Sequence, residues 1–245
     1  MRAILFSLAG ALLLLAGCSK DNAGTPTPDS GKGGSLARFT IVGNYMYVVN
    51  SQQLKVYDVT APGSPVFKTE VSLGRDIETI FPYDGNLFIG SSTGLYICSL
   101  ADPASPKLES MVQHLRACDP VVAIGNTAYV TLRAGTGCGG TQNALMVYDV
   151  ADIRSPKMLR TMVLKGPYGL GATGTALYVC DGTNGLLVYD ISTREQPALE
   201  NRISGHDYRD VIPHRGVLIA QLANGVAFYD ISRPRQPAHL STLLH

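Results

Sequence analysis

Val147-Tyr148-Asp149-Val150-Ala151-Asp152-Ile153-Arg154-Ser155-Pro156 is one of five versions of a single phrase in this chain. The others run from Val56-Tyr57-Asp58-Val59 to Pro65, from Ile97-Cys98-Ser99-Leu100 to Pro106, from Val188-Tyr189-Asp190-Ile191 to Pro197, and from Phe228-Tyr229-Asp230-Ile231 to Pro237. Their closing prolines lie 41, 50, 41 and 40 residues apart. A fixed period near 40 residues is the mark of a repeat architecture, and it governs how every local motif is read.

A second apolar run precedes each box: Tyr45–Val49, Asn86–Ile89, Ala128–Leu132, Ala176–Val179 and Val217–Ala220. Short runs rich in β-branched and aromatic residues, bounded by Gly, Asn, Asp and Pro, are strand signals. They lack strict apolar/polar alternation, which predicts that both faces of these strands are covered. Tight turns such as Asp181-Gly182-Thr183-Asn184-Gly185 join run to box, with Gly and Asn supplying positive φ. Inner strands near 38–43, 78–83, 120–125, 169–173 and 209–213 and outer strands near 66–71, 107–112, 157–163, 198–203 and 238–243 complete the unit. Four strands in about 40 residues make a propeller blade. The expected fold is all-β, a β-propeller of five four-stranded blades near 35–74, 75–115, 116–165, 166–205 and 206–245.

The acids Asp58, Asp149, Asp190 and Asp230 stand once per repeat in the same register. Each ends a strand where the chain turns, and a carboxylate there accepts the backbone N–H two residues on, forming an Asx-turn. Ser99 takes that place in the second repeat, which suits a turn better than a ring of metal ligands. The Gly-rich stretch 135–140 lies between strands with no helix to follow, so it is no phosphate loop.

Residues 1–17 read as a signal peptide: Arg2, then an apolar stretch from Ile4 to Leu15 that is too short to span a bilayer. Leu15-Ala16-Gly17-Cys18 resembles the lipobox of bacterial lipoproteins, which implies cleavage before Cys18, a thioether-linked diacylglycerol there and an acylated amino terminus. Ser19-Lys20-Asp21-Asn22 resembles the surface-export signal of Bacteroidetes lipoproteins. Residues 18–34 form a flexible tether rich in Gly, Pro, Ser and Thr.

The repeat pattern itself resembles the LVIVD repeat of bacterial surface β-propellers over 35–245. Gly185-Leu186-Leu187-Val188-Tyr189-Asp190-Ile191 is the closest copy and Leu95-Tyr96-Ile97-Cys98-Ser99 the most divergent. The resemblance implies a fold and an outer-membrane, surface location, and no defined reaction. Hydrophobic residues make up 45% of the chain, enough for one large core. Without Arg2, acidic and basic side chains balance, and with no basic stretch nucleic acid is not the expected partner.

No catalytic or metal-binding motif is present: no Cys-x-x-Cys, His-x-x-x-His or Gly-x-Ser-x-Gly. No cofactor is expected. Residues at the starts of the inner strands converge at the propeller mouth, so Arg75, Asp76, Glu78, Arg116, Asp119, Tyr168, His206, Asp207, Tyr208 and Arg209 are the binding candidates. Three classes fit: a surface binding or scaffold module for a protein or glycan, an enzyme using the 206–209 cluster, and a structural envelope component. A partner is expected on the mouth face, where loops differ most, rather than on the face of the repeated Tyr-Asp turns. Cys118 and Cys138 are expected to form a disulfide that pins the long loop of the third blade, in a compartment that permits disulfides. Closing about 20 residues in this way contributes roughly 3 kcal/mol. Cys98 and Cys180 read as small buried hydrophobes.

The lipid anchor is directly testable. Detergent-phase partitioning of the wild type and Cys18→Ser should send the wild type to the detergent phase and the variant to the aqueous phase, because two signals or more give stable anchoring at about 0.8 kcal/mol per buried CH₂. Equal partitioning would remove the lipoprotein reading.

Overall fold

The computed structural model describes residues 33–113, 120–135 and 140–245. Five antiparallel sheets of four strands follow one another along the chain, each a simple up-and-down meander. Blade one holds β1 (Phe39–Val42), β2 (Tyr45–Val49), β3 (Gln53–Asp58) and β4 (Val66–Ser72). Blade two holds β5 (Ile77–Tyr83), β6 (Asn86–Ser91), β7 (Gly94–Ser99) and β8 (Lys107–Gln113). Blade three holds β9 (Val121–Ile124), β10 (Thr127–Leu132), β11 (Ala144–Asp149) and β12 (Lys157–Val163). Blade four holds β13 (Leu170–Thr173), β14 (Ala176–Cys180), β15 (Leu186–Asp190) and β16 (Ala198–Ile203). Blade five holds β17 (Tyr208–His214), β18 (Val217–Leu222), β19 (Gly225–Asp230) and β20 (Ala238–Leu244). The fold is the expected β-propeller, with strand ends within about two residues of the sequence reading, the usual uncertainty of strand boundaries.

The box owes its recurrence to two local devices. The first is the Asx-turn: the carboxylates of Asp58, Asp149, Asp190 and Asp230 accept the N–H of Thr60, Ala151, Ser192 and Ser232 at 2.7–3.0 Å. Ser99 Oγ accepts from Ala101 N in the same way, at 3.2 Å. The second is a β-bulge one residue before the acid, between the third and fourth strands of every blade. A bulge increases local twist, and here it recurs where each blade turns to its outer strand.

Apolar cores lie between blades, not within them. Four clusters of buried residues join blade one to two, two to three, three to four and four to five. Hydrogen bonds reinforce each junction at one box position, the fourth residue after the Asp or Ser. Tyr47 donates to the carbonyl of Pro103 at 2.8 Å, Tyr129 to that of Arg194 at 2.8 Å and Tyr178 to that of Pro234 at 2.6 Å. Phe88 has no hydroxyl, and Ser110 Oγ donates to the matching carbonyl of Ile153 instead, at 2.5 Å. Ion pairs of Arg154 with Glu109, and of Arg235 with Asp190 and Glu200, tie boxes three and five to the preceding blade.

The expectation that both faces of the middle strands are covered holds for blades two to four and is corrected for the end blades. β6, β7, β10, β11, β14 and β15 are buried along nearly their whole length, whereas β2, β3, β18 and β19 alternate buried with half-buried residues. Among the described residues no apolar cluster joins blade five to blade one. Cys98 and Cys180 are buried free thiols, as expected, and burial pushes the Cys98 thiol up to about 12.

The clamp predicts its own deletion. Tyr178→Phe strands the Pro234 carbonyl without its donor, and unfolding in urea should show a loss of about 1 kcal/mol with an unchanged slope.

Candidate functional site

The mouth face is formed by the loops that enter the inner strands and by the turns between second and third strands. On blades three to five these segments enclose a polar groove of about 410 Å³. Asp181, at the end of β14, organises its floor. Its carboxylate accepts the N–H of Lys165 at 3.1 Å and of Gly166 at 2.7 Å, and Asn184 Nδ2 at 2.5 Å. The loop into β13 is therefore held in place by the neighbouring turn of its own blade. Tyr168 is fixed at both ends of its backbone, donating its N–H to Cys180 O at 2.7 Å and accepting Thr131 Oγ1 of blade three at 2.6 Å.

Two cations converge on the Tyr168 ring. The guanidinium carbons of Arg133, from the end of β10, and Arg209, from β17, stand 3.6 and 4.1 Å from its centroid. Attraction to the ring face offsets part of the repulsion between the two arginines. Burial lowers both guanidinium pKa values, with Asp207 raising that of Arg133 and Arg133 lowering that of Arg209. Asp207 is bonded to Arg209 through Oδ2 at 2.5 Å, while its Oδ1 is buried and has no hydrogen-bond partner among the described residues. The groove thus presents guanidinium and lysine N–H donors around one unsatisfied carboxylate oxygen.

The structure brings Tyr168, Asp207 and Arg209 together, and it adds Arg133, Lys165 and Asp181, which the sequence reading missed. Arg133 opens the long blade-three loop and Asp181 lies in a Gly-rich turn; neither belongs to the start of an inner strand. His206 sits edge-on to Tyr208, with centroids 6.1 Å apart. Tyr208 is corrected: it is fully buried, and its hydroxyl pairs with that of Tyr229 at 2.6 Å inside the core between blades four and five. A side chain so enclosed cannot anchor a surface partner. Arg75 and Asp76 are exposed on blade two, where Ser92 Oγ donates to Asp76 at 3.1 Å, and Glu78 is half-buried, its pKa raised by burial and drawn back by Arg38. Arg116, Asp119, Cys118 and Cys138 lie outside the described residues, as does Cys18. Among the described residues no group of His, Cys, Asp and Glu is placed to hold a metal ion.

A second cavity of about 330 Å³ runs along the axis between the inner strands of blades two to five, with walls that include Phe81, Val122, Leu170 and Val211. Gly33 and Ser35 contribute to its lining from the segment that precedes β1. Ser35 Oγ donates to Asp210 Oδ1 at 3.0 Å and accepts Leu170 N at 2.7 Å. A Cβ on Gly34 or on Gly169 would collide with the Asp210 carboxylate, so both glycines are needed for this close approach. Asp210 is 7% exposed, and burial raises its pKa to about 6 against the pull of Val211 N–H, Ser35 and Leu36.

Comparison with known proteins agrees with this architecture. The family model of the LVIVD repeat matches residues 33–72 and 172–204, which are blade one and most of blade four. No curated protein matches the sequence. Among solved structures, a functionally unknown protein from Desulfotomaculum acetoxidans superposes with a TM-score of 0.70 at 12% identity, over 85% of this chain and 69% of its own. The periplasmic gluconolactonase of Pseudomonas aeruginosa gives 0.63 at 18% identity, over 82% and 68%. BamB from Moraxella catarrhalis gives 0.58 at 15% identity, over 77% and 54%, so the chain spans little more than half of that neighbour. The chain is a repeat β-propeller with the fold of these proteins.

Asp210 gives the site a pH signature. Its folded-state pKa lies above the unfolded value, so the folded chain holds a proton that the unfolded chain releases between about pH 6 and pH 4. Stability from this group therefore rises as pH falls through 6, by up to about 3 kcal/mol for a two-unit shift. Asp58, Glu109, Asp190 and Asp230 have lowered values and lose stability only below the usual carboxylate range. Glu78 shifts in the same direction as Asp210, so the comparison of Asp210→Asn with wild type isolates the effect. Urea unfolding at pH 5 and pH 7 should show a smaller gain at pH 5 for the variant, and equal gains would refute the assignment.

Proposed function

We propose that this protein is a non-catalytic binding module of the cell envelope, lipid-anchored through Cys18 to the outer membrane and displayed at the surface, where it holds a protein or glycan partner. The observation that carries the reading is the groove on blades three to five. Arg133 and Arg209 are pre-ordered on Tyr168, and among the described residues Asp207 Oδ1 has no hydrogen-bond partner. Immobilised guanidiniums lose little further freedom on binding, and Arg and Tyr are the residue types that most often carry binding energy. A carboxylate- or hydroxyl-bearing surface would accept hydrogen bonds from the guanidinium donors. The lipobox at Leu15–Cys18 and the tether behind it supply the anchoring part of the proposal.

An enzyme reading has a weaker footing in the geometry. The carboxyl group with a pKa near 6, Asp210, is enclosed by Ser35 and Leu36 rather than open to a substrate. General acid–base work requires reach to the reacting proton. The likeness to a gluconolactonase, at 18% identity, is a likeness of fold alone.

Full-length protein used as bait against detergent-solubilised envelope and a glycan array tests the site. Arg133→Ala and Arg209→Ala should each weaken the interaction at least tenfold, since truncating a hot spot costs about 2 kcal/mol or more, with thermal stability near wild type. Asp58→Ala, on the opposite face, should lower stability and leave affinity unchanged. The reverse pattern would move the site to the face of the Tyr-Asp turns.

A further inference from the structure

Resting on the reading of the groove on blades three to five as the binding site, we propose that its ligand is a carboxylated sugar, a uronate residue of an acidic polysaccharide. Arg133 and Arg209 would hold the carboxylate, and the acceptors beside them the hydroxyls. Three cationic side chains, Arg133, Lys165 and Arg209, stand at the groove against two carboxylates, Asp181 and Asp207. Asp181 is 2% exposed, and its oxygens accept Lys165 N, Gly166 N and Asn184 Nδ2, so its charge is already engaged in holding the loop. Asp207 is paired with Arg209. Among the described residues Arg133 and Lys165 form no ion pair. The balance leaves one positive charge for a ligand, which matches a single acid group rather than the near-double charge of a phosphate monoester.

The contacts with Tyr168 point to the kind of acid. Arg133 and Arg209 both lie against one ring, which brings their charge to one place. A guanidinium over a ring face keeps its N–H donors for other partners, and its planar fork matches the two coplanar oxygens of a carboxylate. Arg209 gives one N–H to Asp207 and has others to offer. Its side chain is 30% exposed and that of Asp207 26%, so the pair is reached from solvent. Burial works against the charge of both guanidiniums, and an incoming anion offsets that effect.

The acceptors among these cations select a sugar acid over an acidic peptide. Asp207 Oδ2 keeps acceptor capacity beyond its bond to Arg209, and Thr183, exposed in the turn after β14, offers a hydroxyl to the same groove. An Asp or Glu side chain carries no donor beside its acid and would leave these groups unused. A uronate carries hydroxyl donors on the ring that bears the carboxylate. An α-amino acid has donors too, but its own ammonium group cancels the charge that the groove is left to match. The volume of about 410 Å³ is more than one acid group fills and lies in the range of small-ligand sites.

Calorimetric titration of the full chain in mild detergent tests this with a galacturonate oligomer as the probe. The methyl ester of the same oligomer keeps the hydroxyls and loses the charge, and a glutamate oligopeptide keeps the charge and loses the hydroxyls. Each should bind at least about tenfold more weakly than the acid, and so should Arg133→Gln and Arg209→Gln toward the acid itself. Thermal melts of the variants, expected near the wild type, separate loss of binding from loss of fold. Equal binding of the ester would overturn the proposal, and equal binding of the peptide would assign the groove to an acidic protein instead. Free galacturonate should bind more weakly than the oligomer; equal affinity would overturn the polysaccharide in favour of a free sugar acid. If no acid binds while Arg133-dependent capture of another envelope partner persists, the ligand class fails and the groove remains the site. If the oligomer binds both variants as it binds the wild type, the groove reading fails with it.

Discussion

Each blade hangs on a strand end that cannot continue. After the Tyr-Asp pair the chain must leave the third strand and return as the fourth, and the backbone N–H two residues on would otherwise lose its partner. The Asp carboxylate takes that N–H, the bulge before it gives the added twist, and the proline that closes the box keeps the turn from extending as strand. With the turn fixed, one carbonyl points at the preceding blade in every box from the second to the fifth. A tyrosine hydroxyl, or Ser110 in one case, meets it. A single turn geometry therefore serves both within the blade and between blades, which explains why it is the most repeated feature of the sequence.

Fixing one end of each blade in this way leaves the other end free to differ. Among the described residues the loops at the mouth contain no recurring carboxylate or clamp; they are closed by what the local sequence supplies, Asn50 in blade one, Ser91 in blade two and Asp181 in blade four. The extra length of blade three adds Arg133 to that face, next to Tyr168 of blade four and Arg209 of blade five. The groove is thus a product of three blades meeting, and none of them alone contains it. The axial position of Asp210 is the same kind of feature: Thr79, Pro120 and Gly169 stand at the corresponding places of blades two to four, and a carboxylate there is tolerated because Ser35 and the glycines at 34 and 169 make room and supply donors.

What the sequence disclosed follows from this division. Strand order, blade count and the Asx-turns were legible because they rest on contacts within 40 residues and recur five times. The mouth residues were legible only as a neighbourhood. Tyr208 looked like a rim aromatic because its neighbours His206, Asp207 and Arg209 are polar, yet alternation along β17 turns it inward to Tyr229. Arg133 pairs with Tyr168 across 35 positions of chain, and no local pattern announces a cation–ring contact at that distance. The Ser35–Asp210 bond spans 175 positions and joins a segment that looks like the end of a tether to the centre of the ring.

The end blades show most directly how composition follows covering. A position that faces a neighbour in blades two to four takes an apolar residue, and its burial removes the need for a polar group. At the two ends of the arc the same register positions admit Lys55 and Gln221, and the alternation of buried and half-buried residues returns. A charge within an otherwise apolar strand face is expensive to bury without a partner, so its presence in blade one distinguishes a face that is solvated in the single chain from faces that are not. The apolar residues around it, Met46, Val48 and Tyr57 on one side and Ile219, Val226 and Phe228 on the other, keep the geometry of a blade junction.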